Sequence, residues 1–375
     1  MFRFFRWKHF DCVADARTLV AALTGCAALA VEQRGNSRRW LEKGEEIYRQ
    51  ALEKNCSDNS FVQNALIELY ARCGSMVKAR SVFERMRRPD AVSWTILLQG
   101  YVDNSESALA LRLFDGMSST IPNARTFVAA PTACTSLAAS AVGSCNWLRR
   151  GKSIHSRAVT SSCCDNIFVQ NTLVDMYAKL GEMQQARDVF DKMSSRSVVS
   201  WTALMQGYVD NGKSEVALKL FEGMAEEAEA PPAARTFVTA ITACTALAAE
   251  QKRLNHWLEK GKRIHLQAVR NRCWDVYVET AVVNLLAKCG SMAEAQEVFD
   301  KMVKRNVVSW TCLVQGYVDN GKNKRAPEVV CEMDLNGVTM NSATFVAALT
   351  ACGSLMAAGE RKAEQEQWIS LQHAP

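Results

Sequence analysis

The chain has 375 residues, of which 48% are apolar, and its 45 basic and 39 acidic side chains leave a formal net charge of +6. So mild an excess permits an anionic partner without demanding one, and no arm-like basic run is present. Fourteen cysteines invite a metal or disulfide reading, which their spacing excludes: no C-x-x-C occurs, and no Cys/His cluster has zinc-ligand spacing.

At the start, MFRFFRWKHF sets Arg3, Arg6 and Lys8 before any acid, which hints at an organelle presequence. The length and the serine-rich stretch of such a segment are missing. Residues 1–15 are read as a partial repeat or the remnant of a presequence, and the start as that of a truncated gene model. The uncharged run from Thr126 to Leu148 has the length of a membrane span but contains Pro131, Gly143 and many hydroxyl residues. Its counterparts elsewhere carry Glu32, Glu250 and Lys252, so it is a repeated element, and no membrane insertion is expected.

Self-similarity is the main signal. VSWTILLQGYVDN at Val92 returns as VSWTALMQGYVDN at Val199 and VSWTCLVQGYVDN at Val308. ARTFVAA at Ala124 returns at Ala234 and Ser342, with a weaker copy at Ala16, and NALIELYARCGSM at Asn64 returns at Asn171 and Thr280. Cys26, Cys134, Cys244 and Cys352 recur 108, 110 and 108 residues apart, at one helical position where a thiol acts as a small apolar group. Within 60–90, Leu66, Leu69, Tyr70 and Cys73 form one helical stripe, Gly74 and Ser75 break it, and Ala79, Val82, Phe83 and Met86 form a second. Such helix–turn–helix units cannot bury their apolar faces alone and must stack. The fold expected is all-α, a right-handed α-solenoid superhelix. Nine units are read over 16–341 (16–59, 60–90, 91–123, 124–166, 167–197, 198–233, 234–275, 276–306 and 307–341), with a partial repeat and tail over 342–375. Pro327 is expected to weaken or kink a second helix, and Val330 replaces the phenylalanine of Phe114 and Phe221, so the last full unit is expected to be loose.

The patterns LxxLYAxCGxxxxARxVFxxM, VSWTxLxxGYxxNG and TFVxALTACxxLxxxxxGKxIH resemble the short, standard and long motifs of plant pentatricopeptide repeat proteins. The order long–short–standard is that of the subclass whose members mostly specify RNA editing sites in organelles. Three long units depart from the pattern by being stretched to 42–44 residues, ahead of segments carrying Trp40, Trp147 and Trp257.

The resemblance implies a single-stranded RNA ligand and one base per repeat, read by the fifth residue of the first helix and the last residue of the unit. It pairs Asn64 with Asp90 for uracil and Thr95 with Asn123 for adenine. Asn171 with Ser197 implies a pyrimidine, read as cytosine. Thr280 with Asn306 and Thr311 with Asn341 imply adenine, and Thr202 with Ala233 reads poorly. The long units carry Val20, Val128, Val238 and Val346 and give no code. The implied target is U-A-n-C-n-n-A-A. Phe61, Val92, Val199, Tyr277 and Val308 are expected to wedge between bases. Asn and Thr near helix starts are also common caps, and the basic residues Arg38, Arg39, Arg149, Arg150, Lys252 and Arg253 serve either phosphates or a solvated face. Trp94, Trp201, Trp310, His155 and His265 are read as structural.

Editing members of this subclass often end in a cytidine deaminase-like domain, whose zinc chemistry needs H-x-E and P-C-x-x-C; neither is present, nor is a phosphate loop. The chain is expected to hold no metal or cofactor and to do no chemistry itself. The resemblance implies a mitochondrial or chloroplast site-recognition factor that recruits an editing deaminase in trans. Open alternatives are a tetratricopeptide-like protein-interaction scaffold, an RNA stabilisation or splicing factor, and a decayed copy without activity.

Overall fold

The computed structural model describes residues 16–33, 36–53, 56–117, 120–140, 144–227, 231–251 and 253–372. Residues 1–15 and Lys252 lie outside the described residues. Every element among the described residues is helical. The chain divides into two compact units, 1–194 and 195–375.

The first unit contains α1 (Ala16–Glu32), α2 (Ser37–Glu53), α3 (Ser60–Arg72), α4 (Met76–Arg85) and α5 (Ala91–Asp103). It continues with α6 (Ser107–Gly116), α7 (Ala124–Ser140), α8 (Ser144–Thr160), α9 (Ile167–Lys179) and α10 (Met183–Asp191). In the second unit are α11 (Val198–Asp210), α12 (Ser214–Glu227), α13 (Ala234–Gln251), α14 (Leu254–Arg270) and α15 (Val276–Lys288). They are followed by α16 (Met292–Lys301), α17 (Val307–Asp319), α18 (Arg325–Leu335) and α19 (Ser342–Gln372).

Local chemistry explains each helix pair. The Asn59 side chain caps α3 by accepting from the backbone of Phe61 and Val62 at 2.9 and 3.4 Å, supplying a partner to otherwise orphaned N–H groups. At the other end Gly74 sits at φ 76°, which only glycine adopts without steric cost. Gly74 N–H then donates to the Ala71 carbonyl and Ser75 N–H to that of Tyr70, at 3.0 and 2.8 Å. These two hydrogen bonds close the helix and turn the chain into α4.

The pairs then stack in two layers. α1 packs on α3, α3 on α5, α5 on α7 and α7 on α9, while α2, α4, α6 and α8 each bridge their own first helix to the next one. The second unit repeats the scheme: α11, α13, α15, α17 and α19 pack in succession, bridged by α12, α14, α16 and α18. The side chains of Val62, Leu66, Leu69, Val82 and Phe83 fill the core between layers. Trp94 meets the Phe83 ring edge-on at 4.9 Å and Trp310 meets Phe299 at 4.7 Å, so these tryptophans pack between helices. His155 bonds through Nδ1 to the Tyr177 hydroxyl at 3.0 Å, and burial holds its pKa below the usual imidazole value. His265 stacks on Trp274 with ring centres 4.5 Å apart.

Close helix approach depends on Gly100, where a Cβ would lie 2.7 Å from Ala71 Cβ and 3.2 Å from Met76 Cε. Alanine there improves helix propensity by about 1 kcal/mol, but it must push α3 and α5 apart, at about 1–3 kcal/mol. Gly100→Ala should therefore lower the urea midpoint, with a net loss of about 1 kcal/mol.

Two details, at Pro327 and Cys352, differ from expectation. Pro327 occupies the first turn of α18, not its interior, where its missing N–H has no intrahelical acceptor to lose; the helix persists, with Ala326, Val329 and Met333 buried. Val330 is half-buried where Phe114 and Phe221 are buried. Cys352 is exposed although Cys26, Cys134 and Cys244 are buried at the same register; among the described residues α19 packs only on α17 and α18. Pro131 does lie inside a helix, α7, at the register of the fully buried Ile241.

Candidate nucleic-acid interface

The second and fifth residues of each first helix are three apart, so their side chains share one face of the first turn. At the second position Phe61, Val92, Val199, Tyr277 and Val308 are all exposed, Phe61 at 71%. Phe168 of α9 joins them at 68%. It was absent from the sequence-derived set, although the identical FVQN at 61–64 and 168–171 placed it at the same register. Large apolar side chains held in solvent this way are available for stacking.

At the fifth position the two asparagines and the four threonines differ in chemistry. Asn64 is buried and Asn171 half-buried, and the Oδ1 atom of each finds no hydrogen-bond partner among the described residues. A buried acceptor left so costs about 1–3 kcal/mol. The threonines each donate to the carbonyl four residues back: Thr95 to Ala91 at 2.6 Å, Thr202 to Val198 at 2.7 Å, Thr280 to Val276 at 2.6 Å and Thr311 to Val307 at 2.7 Å. With its proton so directed, a hydroxyl offers lone pairs only. Three of them also lie against a threonine of the following long unit: Thr95 is 2.8 Å from Thr126, Thr202 2.8 Å from Thr236 and Thr311 2.7 Å from Thr344, oxygen to oxygen.

The last residues of the units cap the next helix. Asp90 accepts from Ser93 N–H at 2.8 Å, Asn123 from Thr126 at 3.0 Å, Asn306 from Ser309 at 2.9 Å and Asn341 from Thr344 at 2.8 Å. Ser197 accepts from Ser200 at 3.3 Å. Ala233 has no side chain to do so, and its own N–H donates to Thr236 Oγ1 at 3.3 Å. Capping and presentation to a ligand are compatible here. With Oδ1 tied to the cap, the amides of Asn123, Asn306 and Asn341 are oriented with Nδ2 as the remaining donor. Burial works to raise the Asp90 carboxyl, yet hydrogen bonds from the Ser93 backbone and hydroxyl, together with the Val92 backbone and the Asn64 side chain, hold it below the usual carboxylate range.

Of these residues, Val92, Thr95 and Phe168 line a groove of about 860 Å³ in the first unit, together with Arg125, Val128 and Asn166. Two of the basic residues of the stretched units are engaged within the chain. Arg150 pairs with Asp115 and donates to the Leu111 carbonyl at 3.2 Å, and Arg38 pairs with Glu42 at 3.2 Å. Among the described residues no group of three or more His, Cys, Asp or Glu could hold a metal, and no helix is long and apolar enough to cross a membrane.

Tandem two-helix units carrying an exposed apolar side chain and a polar side chain at fixed register define a helical-repeat protein with a periodic face. Residues 64–88, 92–119, 171–198, 199–227 and 280–307 each match the PPR repeat, and residues 305–354 match the PPR repeat family. The chain thus belongs to the pentatricopeptide repeat family. It is 35% identical over 354 residues to the pentatricopeptide repeat-containing protein At1g03540 of Arabidopsis thaliana, covering 93% of this chain and 53% of the relative. It is 31% identical over 353 residues to the chloroplastic At3g57430 of the same plant, covering 90% and 37%. The chain therefore spans about half or less of these relatives' length. The crystal structure of the pentatricopeptide repeat protein PPR10 from maize superposes with a TM-score of 0.61 at 17% identity, over 95% of this chain and 53% of that one.

Proposed function

We propose that the chain is a sequence-specific single-stranded RNA-binding protein that acts on organellar transcripts as a site-recognition factor for RNA editing, with the deaminase supplied in trans. The observation that carries this reading is the matched pair of groups at each coded unit. In the threonine units an acceptor hydroxyl lies beside a donor amide, at Thr95 with Asn123 and at Thr311 with Asn341. Adenine presents the converse along its pairing edge, an amino donor next to a ring acceptor. In the unit at 60–90 the unpartnered Asn64 oxygen suits a ring N–H such as that of uracil. Exposed Phe61, Phe168 and Tyr277 suit base stacking, worth about 1–3 kcal/mol per base for aromatic contacts. The editing role draws on the long–short–standard order of the units, and the organellar location on the chloroplastic relatives.

A gel-shift titration at fixed salt tests it, comparing RNA carrying U-A-n-C-n-n-A-A with RNA whose coded bases are exchanged. The expected result is tighter binding of the first, by roughly tenfold or more, with the preference reduced in Asn64→Ala. Equal binding of both RNAs, vanishing as salt rises, would sink the proposal.

A further inference from the structure

The long units lack a polar residue at the fifth position, where Val20, Val128 and Val238 stand, and they also differ at the second. There, in place of the apolar wedge, stand Arg17, Arg125 and Arg235, all exposed. No ion pair engages any of the three among the described residues, whereas many basic side chains on the second helices are paired, as at Lys43, Arg80, Lys260 and Lys262. No acid occupies the first turn of α1, α7 or α13. Arg125 lines the 860 Å³ groove together with Val92, Thr95 and Phe168, so its guanidinium stands among the reading and wedging side chains. Of the acids in that lining, Glu68 pairs with Arg72 at 3.7 Å and Asp103 accepts from Gln99 at 2.7 Å, and neither engages Arg125.

We propose that the long units of this chain are phosphate clamps: Arg17, Arg125 and Arg235 each hold one phosphodiester of the bound RNA, and give affinity without base identity. The inference rests on the RNA-binding reading above. A planar guanidinium offers two parallel N–H donors to a phosphate, and an unpaired one keeps them free until the ligand arrives. The alternation of two coded units with one clamping unit then separates specificity from grip along the chain.

The test is the salt dependence of Kd for a single-stranded RNA carrying the coded bases, with the base-exchanged RNA measured in parallel. Each phosphate contact on a single strand contributes about 0.7 to the slope of log K against log salt. Arg125→Ala with Arg235→Ala should therefore lower the slope by about 1.4, while the ratio between coded and exchanged RNA stays unchanged. Lysine at both positions should restore the slope. Ala343, which stands at the same register in α19, supplies a gain-of-function arm: Ala343→Arg should raise the slope by about 0.7. A parent protein that discriminates bases while its alanine variants keep the full slope overturns the clamp and spares the RNA reading. Loss of base discrimination with the slope intact assigns the arginines to stacking and likewise overturns it. A parent protein that binds no RNA overturns both readings. Since all three arginines are exposed, unchanged thermal melting confirms that the variants fold.

Discussion

With Thr95 and Asn123 exchanged for asparagine and aspartate, the unit at 91–123 should bind uracil in preference to adenine at its base. The change copies the arrangement at 60–90, where Asn64 leaves an unpartnered oxygen and Asp90 caps the next helix through Ser93. Aspartate at 123 keeps the cap, since Thr126 N–H and hydroxyl would meet a carboxylate as readily as they now meet the Asn123 oxygen at 3.0 and 3.1 Å. What is lost is the Nδ2 donor, and what is gained is an acceptor-only edge. A well-formed pair of base contacts discriminates by about 1–3 kcal/mol, so the ratio of Kd values for U and A at that position should move by at least tenfold. Competition gel shifts with RNAs differing only at that base would show it; a variant that loses affinity for both bases equally would mean that these two residues hold the helix and do not touch the base.

Replacing Pro131 by isoleucine should stabilise the protein by about 2 kcal/mol. Proline within a helix removes one backbone hydrogen bond and sets its ring against the carbonyl four residues earlier, here Phe127, at a cost of about 3 kcal/mol. Ile241 fills the same register in α13, fully buried, so the layer accepts a branched side chain at that depth. Part of the gain is offset by repacking around the larger side chain. In a stacked array, stability is shared between neighbouring repeats, so the readout is the denaturation midpoint together with hydrogen exchange of the α7 amides. An unchanged midpoint would mean that the surrounding helices already accommodate the proline without cost.

Much of the candidate site was legible because its signals are local. The fifth and last residues of each unit could be placed by counting from VSWT and FVQN, and Phe168 could have been found the same way. What the same residues do with their protons was not legible. The cap that Asn123 forms on Thr126, three residues on, is local and follows from its place before α7, but nothing in the sequence shows that the Asn64 oxygen inside α3 lacks a partner. That depends on the neighbours which α1 and α5, packed on α3, set around it. The threonine of ARTF looked like one more residue of a repeated string, and only packing of α5 on α7 brings Thr126 within 2.8 Å of Thr95.

The sequence by itself determined the period, the helix–turn–helix pairing and the polar–apolar register, because caps, glycine turns and stripes spaced three and four apart act within a few residues. Tertiary structure decided the rest. It set Pro327 in a first turn and left Pro131 inside a helix, buried Cys244 but exposed Cys352 at the same register, and kept Arg125 without an acid while pairing Arg150 with Asp115. Burial and pairing belong to neighbours that lie roughly a whole repeat away in the chain, and only the stacking of repeats brings them together.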